Sequence, residues 1–372
     1  MKINKSIKNK LNILLLILVT IIVLYISLKD DFNEVVQGLT QLKLFWILIA
    51  IIFVIGYYFF RTLSLFNFVK KFKEDITFKK IFKIVFITQF FDGITPSSSG
   101  GQPYQIYAFN KEKIKIVDAT NIAIQNFIVY QIALVLLGLI AVIANKYLKL
   151  FDQLGIIKNL IILGFIINVI VIIGLFSLAF MKKLNKFIVK IIIKVLSKLK
   201  IIKNKEEIIE NLNTTVETFH DGALILLKNK KDFIKTIFYN FLALLLLYSI
   251  PAIIIFGQGD YTSINVLESI IASAHVMLIG SFIPIPGASG GLEYAFTQFY
   301  GVFISNASLT LVMLLWRTLT YYFGVIIGAI LLNIRKKWKS ENRNIYRYIP
   351  TIHKWSINKH INARKSTKEK RT

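Results

Sequence analysis

Long apolar runs alternate with short lysine-rich ones along most of this chain. A helix crossing roughly 30 Å of hydrocarbon needs about 20 apolar residues. Six segments reach that length: Leu11–Leu28, Leu44–Val69, Ile116–Ala144, Asn159–Phe180, Phe233–Phe256 and Ala307–Ile334. Two further apolar stretches break early. Ile84–Ile94 is about half the required length when Pro96 stops it, because proline removes a helical N–H and clashes with the preceding turn. Ile264–Ile285 runs into Pro284 and Pro286, and the following piece, Leu292–Ile304, is again short. The expected fold is an all-α polytopic membrane protein with six full spans plus two re-entrant helical hairpins. In the alternative, Ile264–Ile285 crosses completely and the count becomes eight spans.

The two interruptions share a motif. "FDGITPSSSGGQPYQIYAF" (91–109) and "IGSFIPIPGASGGLEYAF" (279–296) both contain Pro-x-x-Ser-Gly-Gly followed by Tyr-Ala-Phe, the latter offset by three residues between the copies. Lysine favours the cytoplasmic side of a membrane. The N-terminal tail, the Lys70–Lys83 and Lys111–Lys115 loops, the Lys182–Lys235 region and the C-terminal tail are lysine-rich, whereas Gly257–Asn265 and Ser305–Ser308 contain no Lys or Arg. Both flanks of the first motif are thus expected inside, both flanks of the second outside, and both termini in the cytoplasm. Broken helices entering from opposite faces are the sequence sign of an inverted-repeat transporter.

Composition narrows the class further. The chain is 55% hydrophobic with a net charge of +26 and a mean hydropathy of +0.61, which no water-soluble core could accommodate. With no cysteine there is no disulfide, thiol nucleophile or zinc-thiolate site. No metal site, cofactor or catalytic residue is expected. The basic surplus lies beside apolar runs, so its partner is anionic lipid and not nucleic acid. "MKINKSIKNK" precedes the first apolar run, but the exit Tyr25-Ile26-Ser27-Leu28 lacks a small-x-small cleavage site, so the run reads as an uncleaved span. Within 182–232, lysines at 186, 190, 194 and 198 among apolar residues predict an amphipathic helix lying on the membrane. Glu206–Leu227 predicts a short cytoplasmic helix, and 335–372 a basic tail beyond a membrane domain at 1–334.

Non-helical backbone survives at membrane depth only inside protein or beside a watery cavity. Pro96, Ser97, Ser98, Ser99, Gly100, Gly101 and Gln102, with Pro286, Gly287, Ser289, Gly290 and Gly291, are therefore expected to line a polar cavity. There the N–H groups opening each following half-helix would suit an anion such as a lipid phosphate. Close helix packing through small residues is the structural alternative. Ionisable groups within apolar segments are functional candidates: Arg61 and Arg317 as phosphate ligands, and Asp92, Glu268 and Glu293 as partners for a lipid amine or for the arginines. His275 is expected to make an interhelical hydrogen bond. Gly287-Ala288-Ser289-Gly290 matches the nucleophile pattern of intramembrane serine proteases, but the only later histidines, His353 and His360, lie in the tail, which argues against proteolysis.

"TPSSSGGQPYQIYAF" and "PIPGASGGLEYAF", in this order over roughly Leu11–Ile334, resemble the flippase-like membrane region of lysylphosphatidylglycerol synthases, the multiple peptide resistance factors. The resemblance implies a bacterial plasma-membrane protein that moves anionic or aminoacylated phospholipid between leaflets and confers resistance to cationic peptides. It gives Pro96, Gly100, Gly101, Pro286, Gly290, Gly291 and Glu293 hairpin roles. Two departures stand out. Gln102 replaces a glutamate found in many members, and the tail after Ile334 leaves no room for the aminoacyl-transferase domain. Transport without synthesis is therefore expected. The alternatives are a part in phosphatidylglycerol lysyltransferase activity, with a separately encoded synthase as partner, and a lipid-binding scaffold.

Overall fold

The structure, a computed structural model, describes residues 32–181 except 153 and 156, residues 230–281 and 283–337, and isolated positions between 183 and 228. The expected span Leu11–Leu28, most of the amphipathic and helical segments within 182–232, and the tail from 338 lie outside the described residues. The chain divides into units 1–329 and 330–372; of the second, 330–337 are described and helical.

Every element among the described residues is helical. In chain order they are α1 (Phe32–Gln41), α2 (Leu44–Val69), α3 (Phe78–Gly93), α4 (Gly101–Lys111), α5 (Ile116–Leu148), α6 (Ile157–Phe180), α7 (Lys230–Gly257), α8 (Val266–Gly280), α9 (Gly291–Tyr300), α10 (Asn306–Arg317) and α11 (Phe323–Lys337). Short 3-10 turns, Pro96–Ser98 and Pro286–Ala288, sit between α3 and α4 and between α8 and α9. A π-helical turn, Thr318–Tyr322, joins α10 to α11. Among the described residues, four stretches are long and apolar enough to cross a membrane: Leu44–Val69, Ile116–Leu148, Lys230–Gly257 and Ser308–Asn333. This is a multi-pass membrane protein.

The frame is the antiparallel pair α2 and α7. At one end the Lys71 ammonium pairs with Asp232 at 3.2 Å. At the other, the Lys43 N–H donates to the Gly257 carbonyl at 2.9 Å. The first end carries the lysine-rich loops. The second carries Trp46, Phe256 and Tyr261 in mutual ring contact, the aromatic belt of a membrane interface. Pro251 interrupts α7 and disturbs the local backbone pairing. Two α8 serines repair it: Ser269 and Ser273 hydroxyls donate to the Tyr248 carbonyl at 3.0 and 3.1 Å, and the Ala252 N–H donates to Ser269 Oγ at 3.2 Å.

Each 3-10 turn is the tip of a helical hairpin, and the two hairpins start from opposite ends of the frame. The α3–α4 hairpin returns to the lysine-rich end, where Lys80 and Glu112 form an ion pair at 2.6 Å. The α8–α9 hairpin returns to the aromatic end, where the Tyr300 hydroxyl meets Ser269 and Ser273 at 3.0 and 2.7 Å. The two tips pack against each other. At 15 residues, α8 is about 22 Å long, short of the roughly 30 Å of hydrocarbon. It ends at Gly280 and the chain turns back. The aromatic end is not free of lysine, as Lys43 lies beside Tyr261, yet the lysine-rich end holds far more.

This geometry predicts paired accessibilities in the cysteine-free chain. In sealed right-side-out vesicles, Lys111→Cys and Ser263→Cys should react with a membrane-impermeant maleimide from opposite faces, and Lys80→Cys from the same face as Lys111→Cys. Labelling of positions 111 and 263 from one face would disprove the opposed hairpins.

Candidate functional site

The repeated motif folds the same way twice. Pro96 and Pro286 each open a 3-10 turn whose second residue is left-handed: Ser97 at φ 51, ψ 29 and Gly287 at φ 63, ψ 11. The third residues follow, Ser98 at φ 50 and Ala288 at φ 51. For residues other than glycine this conformation costs about 1–2 kcal/mol each, so both tips are strained and must be held by their surroundings.

Carboxylates hold them. In the first hairpin, Asp92 Oδ1 accepts the Gly101 N–H at 2.8 Å and Thr95 Oγ1 accepts the Gly100 N–H at 2.8 Å. A Cβ on Gly101 would overlap the Asp92 carboxylate, so glycine is required there. In the second hairpin, Glu293 Oε2 accepts the Gly290 N–H at 2.7 Å. The expectation of free N–H groups awaiting a lipid phosphate is corrected: the chain's own acids already occupy the start of both half-helices.

The two arginines differ in their surroundings. Arg317 is buried and fully engaged: Nε donates to Glu293 Oε1 at 2.6 Å, and a second nitrogen donates to the Gly287 carbonyl at 2.9 Å. Arg61 is half-buried. It donates to Asn240 Oδ1 at 2.8 Å and lies over the Tyr130 ring at 4.1 Å, with no carboxylate of the described residues at ion-pair distance. Asn240 is fixed in turn by donating to Ser64 Oγ at 2.8 Å and to the Thr236 carbonyl. Arg61 is therefore positioned by neutral groups and keeps its charge uncompensated.

Where the tips meet, a cavity of about 260 Å³ opens. Of the expected residues, Arg61, Asp92, Ser97, Ser98, Gln102, Gly287 and Arg317 line it. Pro96, Ser99, Gly100, Gly101, Pro286, Ser289, Gly290, Gly291 and Glu293 do not; they build the tips behind it. The Ser99 and Ser289 hydroxyls turn back to the Pro96 and Pro286 carbonyls at 2.9 and 3.2 Å. Glu268 is not brought to the cavity at all. It forms a capping box with Asn265 at the start of α8, which satisfies the helix's first N–H groups. His275 bonds within its own helix, Nδ1 to the Ile271 carbonyl at 2.7 Å, between the Phe151 and Phe299 rings. The expected interhelical bond is not made.

Several lining residues had no signal in the sequence. Tyr321 is the most consequential. Its hydroxyl donates to the Gly93 carbonyl at 2.9 Å, and its ring fills the space a Cβ on Gly287 would occupy. One side chain thus binds both tips. It is aimed there by the π turn Thr318–Tyr322, a distortion frequent at functional sites. Tyr57 and Tyr130 flank Arg61, and Gln131 and Ser281 form the opposite wall. Asn168 ties that wall to α6, donating to Ser281 Oγ at 2.6 Å and facing Gln131 at 3.4 Å. No group of residues able to hold a metal ion occurs among those described.

Among the described residues the cavity therefore offers one cation and one carboxylate without an ion pair, Arg61 and Asp92, within walls that mix tyrosines and neutral amides with apolar side chains such as Leu134, Met277 and Leu292. No curated protein matches the chain. Residues 12–328 match the family described as the lysylphosphatidylglycerol synthase TM region. With that match covering most of its length, the chain belongs to the lysylphosphatidylglycerol synthase transmembrane-region family.

Proposed function

We propose that the protein translocates anionic or aminoacylated phospholipid, of the lysylphosphatidylglycerol type, between the leaflets of a bacterial plasma membrane, with the lysine-rich end and both termini in the cytoplasm. On this reading α3–α4 and α8–α9 are re-entrant hairpins of an inverted repeat. The observation that carries it is that Arg61 and Asp92, neither of them in an ion pair among the described residues, line one cavity between the tips. A phosphodiester would dock on the Arg61 guanidinium, which presents donors in a fork matching phosphate oxygens, and an ammonium on Asp92 and the tyrosine faces. The cavity of about 260 Å³ is smaller than most drug-sized ligand pockets. It suits a headgroup whose acyl chains remain in the bilayer. Family membership supports a role in handling lysylphosphatidylglycerol.

Reconstitution tests this directly. Purified protein in phosphatidylcholine vesicles containing phosphatidylglycerol should accelerate leaflet exchange of fluorescent lysylphosphatidylglycerol over protein-free vesicles. No acceleration for any anionic or aminoacylated lipid would refute the reading.

The arginines should respond differently to mutation. Glu293→Gln strands the buried Arg317 charge, their side chains being only 13% and 7% exposed, and should destabilise the fold by roughly 3–5 kcal/mol. The double variant Glu293→Gln with Arg317→Gln should recover much of that loss in thermal unfolding in detergent. Arg61→Gln strands no carboxylate, so its stability should stay near wild type while lipid exchange is lost. An Arg61→Gln protein that exchanges lipid at the wild-type rate would remove Arg61 as the phosphate ligand.

A further inference from the structure

Beside the main cavity lies a second, smaller space of about 10 Å³, the size of a single water. The two share Tyr57, Arg61, Gln89 and Asp92. Beyond Asp92 the small chamber is lined by Tyr58, Thr88, Gln105 and Asn126. The Tyr58 hydroxyl and Gln105 Oε1 have no hydrogen-bond partner, though these residues are only 1% and 4% exposed. A buried polar atom left unpartnered pays the full cost of its lost hydration. Two such atoms on a chamber of water size mark a hydrated site.

The chamber continues into a polar column. Ser64 Oγ donates to Asn126 Oδ1 at 3.4 Å and accepts from Asn240 at 2.8 Å. Asn240 donates to the Thr236 carbonyl one turn earlier on α7, and that helix starts beside the Lys71–Asp232 pair. Polar side chains thus run from Asp92 towards the lysine-rich end, through what is otherwise apolar packing.

We propose that Asp92 exchanges a headgroup ammonium for a proton, with the chamber water as the proton's route, so that transport is a proton antiport. The step rests on the lipid-translocation reading and balances simply. A hydronium ion gives its proton to the Asp92 carboxylate and becomes water. The neutral carboxylic acid no longer attracts the ammonium, which departs with its own protons. One positive charge arrives as one leaves. On the other side the proton passes to the chamber water and the restored carboxylate takes a new ammonium.

Asp92 is the group able to switch. Facing it are Arg61, Tyr57 and Tyr58 on α2, Tyr130 on α5, and Arg317 and Tyr321 across the cavity. Arginine stays charged, and tyrosine ordinarily stays neutral below about pH 10. Glu293 is held by Arg317 outside the lining. Among the described residues, Asp92 is the only acidic side chain lining either space.

The test uses the full chain in phosphatidylcholine and phosphatidylglycerol vesicles carrying fluorescent lysylphosphatidylglycerol in the outer leaflet, with a pH dye inside. With an acidic lumen, the labelled lipid should move inward faster than without a gradient, and the lumen should lose acid in step. Gln105→Leu should lose the gradient's acceleration, with lipid exchange and proton flux falling together. Tyr58→Phe, which removes a single oxygen, should shift both readings in the same direction and guards against misfolding of the leucine variant. Exchange indifferent to the gradient, exchange favoured towards the alkaline side, or an unchanged gradient response in both variants would overturn the antiport while leaving translocation standing. No lipid exchange under any condition would overturn translocation and the antiport with it.

Discussion

Breaking two helices at the Pro-x-x-Ser-Gly-Gly turns leaves backbone groups outside the helical ladders, and much of this structure follows from satisfying them. In hydrocarbon each unpaired group costs several kcal/mol. Asp92 and Thr95 take the N–H groups of Gly101 and Gly100, Glu293 takes that of Gly290, Arg317 donates to the Gly287 carbonyl, and Tyr321 donates to that of Gly93. Three of these five partners carry a carboxylate or guanidinium group. Asp92, Glu293 and Arg317 therefore serve first as caps for irregular backbone, and the cavity forms between the caps.

The two copies of the motif solve the same problem from different directions. Pro96–Gly101 and Pro286–Gly291 match in turn geometry, yet the acid precedes the turn in the first and follows it in the second. Glu293 therefore lies on the second half-helix, where it also meets Arg317. Asp92 sits at the end of α3, opposite an arginine that is held by an asparagine. One hairpin closes its charges on each other and the other leaves them facing the cavity. The difference arises from where a single carboxylate falls relative to a shared Pro-x-x-Ser-Gly-Gly frame.

Much of this was legible in the sequence. Four of the six long apolar runs form helices long enough to span a membrane, the prolines gave the points of interruption, and the glycine pairs gave the starts of the half-helices, because each rests on local chemistry. The lining was less legible. Pro96, Ser99, Gly100 and Ser289 carry the motif but serve the backbone, and a motif does not say which side of a turn faces a cavity. Tyr57, Tyr130 and Tyr321 left no trace, since in a membrane helix a tyrosine facing lipid headgroups and one facing a cavity occupy the same apolar pattern. Tyr321 depends in addition on a π turn that no residue preference announces. Glu268 was misplaced for a different reason: three residues after Asn265 it is a capping-box glutamate, and that local role prevailed over the membrane position.

The division between the hairpins also decides which parts can change state. Around Arg317, a salt bridge at 2.6 Å, a bond to a backbone carbonyl and the Tyr321 ring support one another, so moving any one group strands another in a low-dielectric setting. That half behaves as a fixed abutment. Around Arg61 and Asp92 the contacts are to a neutral amide, a backbone N–H and a tyrosine face, with no ion pair among the described residues. A site that must bind a charged headgroup and release it needs groups whose partners can alternate between ligand and solvent. Only the first hairpin and its neighbours on α2, α5 and α7 provide them, and they do so against the rigid surface that the second hairpin supplies.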